Sequence, residues 1–220
     1  MHYLALATDG DGTVLKSNKM LDETAAALER LRAAGMRLIL VTGENPDELQ
    51  EFPHLNLFHH VIGENGAIFF DLATGNVELL GEPPPDALVA AMREAGLRCD
   101  PGCAIICTDT DAKSKVDEIL SQLNLAWHTV PNRDDLMVLP PDVDKARGLA
   151  TLLKRLDIPP DRVVAVGDAD NDRPMLELCG LGVAVGNAVP SLKVCADLVT
   201  AGHAGHGVIE LADRLLREHN

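Results

Sequence analysis

The sequence has few aromatic and few basic residues, and both shortages restrict the protein. Aromatics make up 3% of the 220 residues, so the core has to be built from Leu, Val, Ala and Ile. The 19 lysines and arginines stand against 34 aspartates and glutamates, which gives a net charge of -15. Because no basic tract offsets this charge, nucleic acid and anionic membrane surfaces are not expected partners.

Three further features are missing, namely a signal-peptide-like start, an apolar run long enough to span a membrane, and a CxxC pair. We therefore expect a cytoplasmic protein with reduced thiols. The spacing of Cys99, Cys103 and Cys107 could suggest a metal site. However, Pro101 and Gly102 break any helix that would align the three thiols, and Cys103 and Cys107 fall on one face of a predicted strand. We interpret the cysteines as structural.

Predicted strands alternate with predicted helices along most of the chain. The runs "RLILVT" and "VVAVG" are continuously apolar, as in strands buried on both faces. This alternation predicts an α/β fold with a doubly wound parallel sheet and helices on both faces. The main predicted helices cover residues 21–34, 87–95, 113–123, 145–156, 173–178, 190–195 and 207–218. The main predicted strands cover residues 4–8, 37–42, 104–108, 126–130, 136–139 and 163–167.

Two proline-rich connections divide the chain. They are "GEPPPD" at residues 81–86 and "LPPDVD" at residues 139–144, and such segments make stiff linkers. The segment between them has its own α+β pattern. We predict an inserted α+β domain at residues 83–140 and a larger domain formed by residues 1–82 and 141–220. The alternative is a proline-rich surface loop at each place.

The segment "LATDGDGTVL" places two carboxylates side by side where a strand ends. Asp9 and Asp11 are separated only by Gly10, and carboxylates this close need a cation or a shared proton. Gly10 and Gly12 allow the backbone to bend tightly and approach a ligand. A calcium loop is an alternative, but the residues after Gly12 are Thr-Val-Leu-Lys and lack the later acidic positions of an EF-hand.

Three later segments carry polar groups at strand ends or early in helices, where open parallel sheets bind ligands. Thr42 and Gly43 offer a hydroxyl and an amide to a phosphoryl oxygen, or cap a helix. Lys145 lies in the first turn of a predicted helix, where it opposes the helix dipole, or is simply solvated. Four oxygen-bearing side chains that suit Mg²⁺, or an acidic capping turn, follow "VVAVG": Asp168, Asp170, Asn171 and Asp172.

Taken in order, these motifs resemble the haloacid dehalogenase-like superfamily of phosphohydrolases over nearly the whole chain. The segments that resemble its Cof-type branch are "ENGAIFFD" (64–71), "GDADNDRPML" (167–176), "GVAVGNAVPSLKVCADLVT" (182–200) and "HGVIE" (206–210). In that branch a cap domain is inserted between the second and third motifs. The short insert is similar to the caps of archaeal-type phosphoglycolate phosphatases and their sugar-phosphatase relatives. The resemblance implies a Rossmann-like core and a cap that selects the substrate.

The resemblance also implies roles for individual residues. Asp9 attacks phosphorus and forms an aspartyl-phosphate, while Asp11 protonates the leaving alcohol and then deprotonates the attacking water. Mg²⁺ is held by Asp9, the backbone carbonyl of Asp11, Asp168 and, completing or orienting that shell, Asp172. Contacts with the phosphoryl group or the substrate fall to Thr42, Gly43, Lys145, Asn171 and Asn65. Lys145 is also implied as a catalytic residue that neutralises charge on Asp9.

The implied activity is Mg²⁺-dependent hydrolysis of a small phosphorylated metabolite, with phosphoglycolate or a sugar phosphate as the expected substrate. A phosphoryl transferase or sugar phosphomutase with the same intermediate is one alternative, and it would need an acceptor that the sequence does not identify. A catalytically idle metabolite-binding regulator is another. Such a regulator is expected to lose a core motif residue, yet the chain retains Asp9, Asp11, Lys145, Asp168 and Asp172. The sequence does not indicate an oligomeric state.

One position departs from the family pattern. Relatives often continue Thr-Gly with Arg, whereas this chain has Glu44. Because a carboxylate beside a phosphate dianion is repulsive, we expect Glu44 to point away from the site, and we hypothesise a less anionic leaving group. Candidate polar contacts in the insert, or else solvated surface groups, are Lys113, Lys115, His128 and Arg133. We interpret four scattered histidines as structural or exposed: His59, His60, His203 and His206.

Overall fold

A computed structural model describes residues 3–132 and 135–218, and its strands form two sheets. The larger sheet contains β1 (Ala5–Thr8), β2 (Arg37–Val41), β3 (His60–Gly63), β4 (Ile68–Phe70), β5 (Val77–Leu79), β10 (Val163–Gly167), β11 (Leu181–Ala184) and β12 (Leu198–Val199). The smaller sheet contains β6 (Asp100–Pro101), β7 (Ile106–Asp109), β8 (His128–Asn132) and β9 (Asp135–Leu139). The helices are α1 (Asp22–Ala33), α2 (Pro46–Gln50), α3 (Asp86–Glu94), α4 (Lys113–Gln122), α5 (Lys145–Leu156), α6 (Arg173–Leu178), α7 (Pro190–Cys195) and α8 (Gly205–Arg217).

The larger sheet has the order β12-β11-β10-β1-β2-β3-β4-β5. Neighbours are parallel from β12 to β3, and β4 and β5 add an antiparallel edge. The chain therefore winds outwards in both directions from β1, which confirms the predicted α/β fold. Thr8 in β1 is paired with both Leu40 and Val166, so the loops after β1, β2 and β10 leave the sheet at the same edge.

Aliphatic side chains fill the core around this sheet, as the shortage of aromatics requires. The strands β1 and β10 are buried along their whole length, because both faces of a central parallel strand are covered. Helices α1 and α8 pack against each other and bury Leu28, Leu31, Leu211 and Leu215. Each such leucine contributes about 1.5–3 kcal/mol by leaving water. Within the two described ranges no helix combines the length and the apolarity needed to cross a bilayer.

The smaller sheet has the order β6-β7-β9-β8, with every pair antiparallel, and it has an apolar cluster of its own. Met92 from α3, Val116 from α4, Trp127 and Val138 belong to that cluster. A further cluster joins the two sheets and includes Ala67, Ile68, Ile105, Met137 and Leu139. The smaller sheet thus rests on the end of β4 through a small apolar contact.

The strand predicted at residues 104–108 is wrong in its bounds, because β7 begins at Ile106 and β6 was not predicted. The side chain of Glu64 explains the difference. Its carboxylate accepts hydrogen bonds from three successive backbone amides, those of Cys103 (2.7 Å), Ala104 (2.8 Å) and Ile105 (3.2 Å). These amides therefore bind the side chain of Glu64, in the turn between β3 and β4, instead of pairing with a neighbouring strand. Cys103 precedes β7, and both Cys103 and Cys107 pack against the apolar cluster that joins the two sheets.

Glu64 links the two sheets through these hydrogen bonds. It is fully buried and has a φ of 46°, in the left-handed region that is unfavourable for residues with a Cβ. The three charge-assisted hydrogen bonds offset both the burial of the carboxylate and this conformation.

We expect Glu64→Ala to lower the free energy of unfolding by about 3 kcal/mol or more, because it leaves buried amides without a partner. Glu64→Gln keeps one acceptor oxygen and is expected to fall between this variant and the wild type. Urea denaturation followed by circular dichroism measures both changes. The matched control is Glu94→Ala, which removes an exposed glutamate and should change stability by less than about 0.5 kcal/mol. Equal stability of Glu64→Ala and Glu94→Ala would contradict the stabilising role of the Glu64 hydrogen bonds.

Candidate active site

Three carboxylates meet where β1 and β10 end. Asp9 follows β1 directly, Asp168 follows β10, and Asp172 lies in the 3₁₀ turn Asp170–Asp172 just beyond. One oxygen from each of the three lies within 4.8 Å of the others, and all three residues are buried. The parallel register of β1 and β10 brings together residues that are about 160 positions apart in the chain.

Lys145 lies in the middle of this cluster. It begins α5, whose N-cap is Asp144, and it is only 1% exposed. Its Nζ donates to Oδ1 of Asp9 at 2.5 Å and to Oδ1 of Asp172 at 2.7 Å. These two ion pairs explain why a lysine occupies a first helical turn, where the helix dipole disfavours it.

The cluster carries excess negative charge. Three carboxylates and one ammonium leave two negative charges uncompensated if all four groups are ionised. Burial raises the pKa of Asp9, and the charge of Asp168 raises it further against the opposing effect of Lys145. Burial and the charge of Asp9 likewise raise the pKa of Asp172. Burial disfavours the ammonium of Lys145, but the charges of Asp172 and Asp9 outweigh it and raise the pKa of Lys145.

The donor set fits a hard divalent cation. Buried carboxylate oxygens are the ligands that Mg²⁺ prefers, and a bound cation would neutralise the excess charge. Neighbouring groups orient two of the carboxylates. Thr13 Oγ1 donates to Oδ1 of Asp168 at 3.2 Å, and Oδ2 of Asp172 accepts from the backbone amides of Asp168 and Ala169. Because both oxygens of Asp172 already accept hydrogen bonds, orienting the site is the better-supported part of its predicted role.

A cavity of about 600 Å³ opens above the cluster. Asp9, Asp11, Thr42 and Gly43 line it from the larger sheet, while Met137 is among the residues that line it from the smaller one. Asp11 is exposed to this space, and its carboxyl group is not part of the buried cluster. The other five predicted site residues are buried and do not belong to the cavity wall: Asn65, Lys145, Asp168, Asn171 and Asp172.

Asn65 and Asn171 touch each other at the side of the cluster. Asn171 Nδ2 donates to Asn65 Oδ1 at 2.9 Å, and Asn65 Nδ2 contacts the sulfur of Met137 in the smaller sheet. The next residue, Gly66, has a φ of 98°, and a Cβ on it would lie 2.0 Å from the carbonyl oxygen of Asp144. The turn therefore packs against the start of α5, which carries Lys145.

The expectation that Glu44 points away from the site is wrong. Glu44 lines the cavity, and its Oε1 lies 3.3 Å from the position that a Cβ would take on Gly10. Its backbone carbonyl accepts from the amide of Glu64 at 3.1 Å, which holds the residue at this edge. Burial, followed by the charge of Asp9, raises the pKa of Glu44 to about 7.

Two side chains that support the site were not predicted. The first is Thr13, which donates to Asp168. The second is Asn187, which donates from Nδ2 to the carbonyl of Gly12 at 2.9 Å and accepts from the amide of Ala204 at 2.5 Å. Asn187 therefore ties the first loop to the segment before α8. Thr13 belongs to the quoted "DGT" motif, so its position could have been noticed. The signal for Asn187 is the "GNAV" segment, whose contacts are visible only in three dimensions.

The candidate contacts from the insert mostly lie elsewhere. Lys113 and Lys115 pair with Asp117 and Glu118 on the exposed face of α4, away from the cavity wall. His128 is half-buried, and Arg133 lies outside the described residues. His59 Nδ1 accepts from the amide of Leu38 at 3.0 Å and is structural. His60 is half-buried, whereas His203 and His206 are exposed.

Comparison with known proteins identifies the family. The sequence model of the haloacid dehalogenase-like hydrolases matches residues 6–89 and 98–211. The chain is 31% identical over 221 residues to a phosphoglycolate phosphatase of Natronomonas pharaonis, covering 95% of this chain and 96% of that protein. It is 29% identical over 220 residues to a phosphoglycolate phosphatase of Methanothrix thermoacetophila, covering 96% of each.

Solved structures show the same fold. A crystal structure of a protein from Thermoplasma acidophilum superposes with a TM-score of 0.84 at 18% identity, covering 96% of this chain and 97% of that one. The family match spans most of the chain, and the aligned relatives cover nearly its full length. The chain belongs to the haloacid dehalogenase-like hydrolase family and is a phosphatase of that family.

Proposed function

We propose that the protein is a Mg²⁺-dependent phosphomonoester hydrolase that acts on a small metabolite through an aspartyl-phosphate on Asp9. The observation that carries this proposal is the position of Asp9. It lines the cavity on one side and contacts the buried ammonium of Lys145 on the other. The names of the similar phosphoglycolate phosphatases and the resemblance to sugar phosphatases support a small phosphate ester as the substrate.

Asp9 supplies the nucleophile. The ion pair between Lys145 and its Oδ1 fixes the side chain and favours its ionised form, against the opposing effect of burial. Attack on phosphorus forms an acyl phosphate on Asp9 and expels the alcohol, and water then hydrolyses that acyl phosphate. A divalent cation held by Asp9, the Asp11 carbonyl and Asp168, with Asp172 orienting the shell, would offset the repulsion between the carboxylate and the phosphate dianion.

Asp11 is placed to move the proton. Its carboxyl group is exposed to the cavity and can reach the leaving alcohol and water, whereas Asp9 is buried and paired with Lys145. Asp11 gives a proton to the leaving alcohol and later takes one from the attacking water. The Thr42 hydroxyl and the Gly43 amide offer hydrogen bonds to the phosphoryl oxygens from the cavity wall.

We also propose that residues 83–140 form the cap and that residues 1–82 and 141–220 form the catalytic core. Side chains from the smaller sheet cover the cavity above Asp9 and Asp11, among them Asn132 and Met137. Glu64 holds the cap against the core through the amides of residues 103–105. The cap then determines which alcohol can reach Asp9.

Asp9→Asn should lower kcat for phosphomonoesters by at least about 10³-fold, because the amide cannot attack phosphorus. Rapid acid quench of the wild type with a ³²P-labelled ester should trap phosphate on the protein, and the variant should trap none. The matched control is Asp170→Asn, which removes an exposed carboxylate from the same "GDADND" segment outside the cluster. Full activity of Asp9→Asn would exclude the proposed nucleophile.

Removal of divalent cations with EDTA should abolish hydrolysis, and added Mg²⁺ should restore it more fully than Ca²⁺ or Zn²⁺. Asp168→Asn should raise the Mg²⁺ concentration needed for half-maximal activity by about tenfold or more, because one charged ligand is lost. Isothermal titration with Mg²⁺ measures the same loss without substrate, and Asp170→Asn serves again as the control. Undiminished turnover in EDTA would rule out the metal-dependent reaction.

A further inference from the structure

The part of the cavity that would hold the alcohol portion of a substrate is acidic. Besides Asp9 and Asp11, five carboxylates belong to the described residues of its wall: Glu44, Glu48, Glu51, Asp100 and Asp135. Arg98 is the one basic side chain among the lining residues that the structure describes. A second anionic group on the substrate, beyond its phosphate, would therefore enter a field of like charge.

Arg98 does not neutralise the negative charge of this wall. Its Nε donates to Asp100 at 2.6 Å, and its Nη1 donates to Asp109 at 3.0 Å and to Asp135 at 2.7 Å. Three carboxylates thus surround one guanidinium, and their charges exceed its own. Lys145 is equally engaged, because its ammonium is buried between Asp9 and Asp172.

Glu44 is the cavity carboxylate that lies against the loop after β1, which carries Asp9 and Asp11. Its side chain packs on Gly10, between the two aspartates of that loop, and Phe52 lies beside the same point. Its Oε2 is buried and has no hydrogen-bond partner within the described structure. A buried acceptor without a donor is unfavourable, and a hydroxyl of a bound molecule can supply the missing hydrogen bond.

We propose that Glu44 determines specificity by accepting a hydrogen bond from an uncharged, hydroxyl-bearing leaving alcohol and by repelling one that carries a carboxylate. This inference rests on the proposed function and narrows its substrate to the phosphate ester of a polyol or sugar. The side-chain amides of Asn18, Asn45 and Asn132 also line the cavity and can hydrogen-bond further hydroxyls. Phosphoglycolate, whose leaving alcohol carries a carboxylate, is a poor match for this wall.

Two pairs of esters test the proposal. The first pair is 2-hydroxyethyl phosphate and 2-phosphoglycolate, and the second is glycerol 3-phosphate and 3-phosphoglycerate. Within each pair a hydroxymethyl group replaces a carboxylate on an otherwise equal chain. For the wild type with Mg²⁺ at pH 8.5, above the pKa of about 7 of Glu44, we expect kcat/KM to be at least about tenfold higher for the hydroxylated member, because like charges close together are strongly disfavoured.

The ratio within a pair separates selection of the alcohol from effects on the phosphoryl step, which both members share. Glu44→Gln should reduce this ratio by about tenfold, and Glu44→Arg should reverse the preference. The control is Glu51→Gln, which removes the same charge from an exposed position on the rim of the cavity. It should change the ratio by less than about twofold, because solvent and salt screen that charge.

A wild-type preference for the carboxylate esters would overturn the inference while leaving the proposed hydrolase intact. The same holds if Glu44→Gln remains folded and active but keeps the wild-type ratio. If none of the four esters and no other phosphomonoester is hydrolysed with Mg²⁺, the proposed function fails, and the inference fails with it.

Discussion

The burial of one ammonium among three carboxylates is the constraint on which the rest of this molecule depends. Lys145 needs Asp9 and Asp172 as partners, because an unpaired charge in the interior would be strongly destabilising. The pairing requires α5 to begin beside the ends of β1 and β10. Asp144 caps that helix, and the close contact at Gly66 leaves no room for a side chain between the "ENG" turn and the helix.

The buried cluster of one ammonium and three carboxylates also determines the charge at the candidate site. Burial, together with the neighbouring carboxylates, raises the pKa of Asp9 and Asp172, and the excess negative charge of the cluster favours a cation there. Folding thus concentrates charge at the point where the proposed reaction attacks a phosphate ester. Thr13, Asn187 and the backbone amides around Asp168 hold the carboxylates in place, so that little reorganisation is needed when the ligands arrive.

The "ENG" turn joins the two sheets at the site itself. Glu64 holds the backbone of residues 103–105, and Asn65 lies between Asn171 after β10 and Met137 in the smaller sheet. One short turn therefore contacts both the smaller sheet and the surroundings of the acidic cluster. Carboxylates line the same cavity from both sides, with Glu44 beside the loop after β1 and Asp135 in the smaller sheet.

The sequence by itself determined the alternation of strands and helices, the α/β class and the acids at the strand ends. These features depend on local periodicity and on residue types at fixed spacing, whereas the nine candidate site residues were named with the help of the family resemblance. Tertiary structure alone decided that Glu44 lies in the cavity and that the amides of residues 103–105 bind Glu64 instead of continuing a strand. It likewise placed Asn187 against the first loop. The reason is physical, since each of these outcomes depends on contacts between segments far apart in the chain, whose energies are absent from any local pattern.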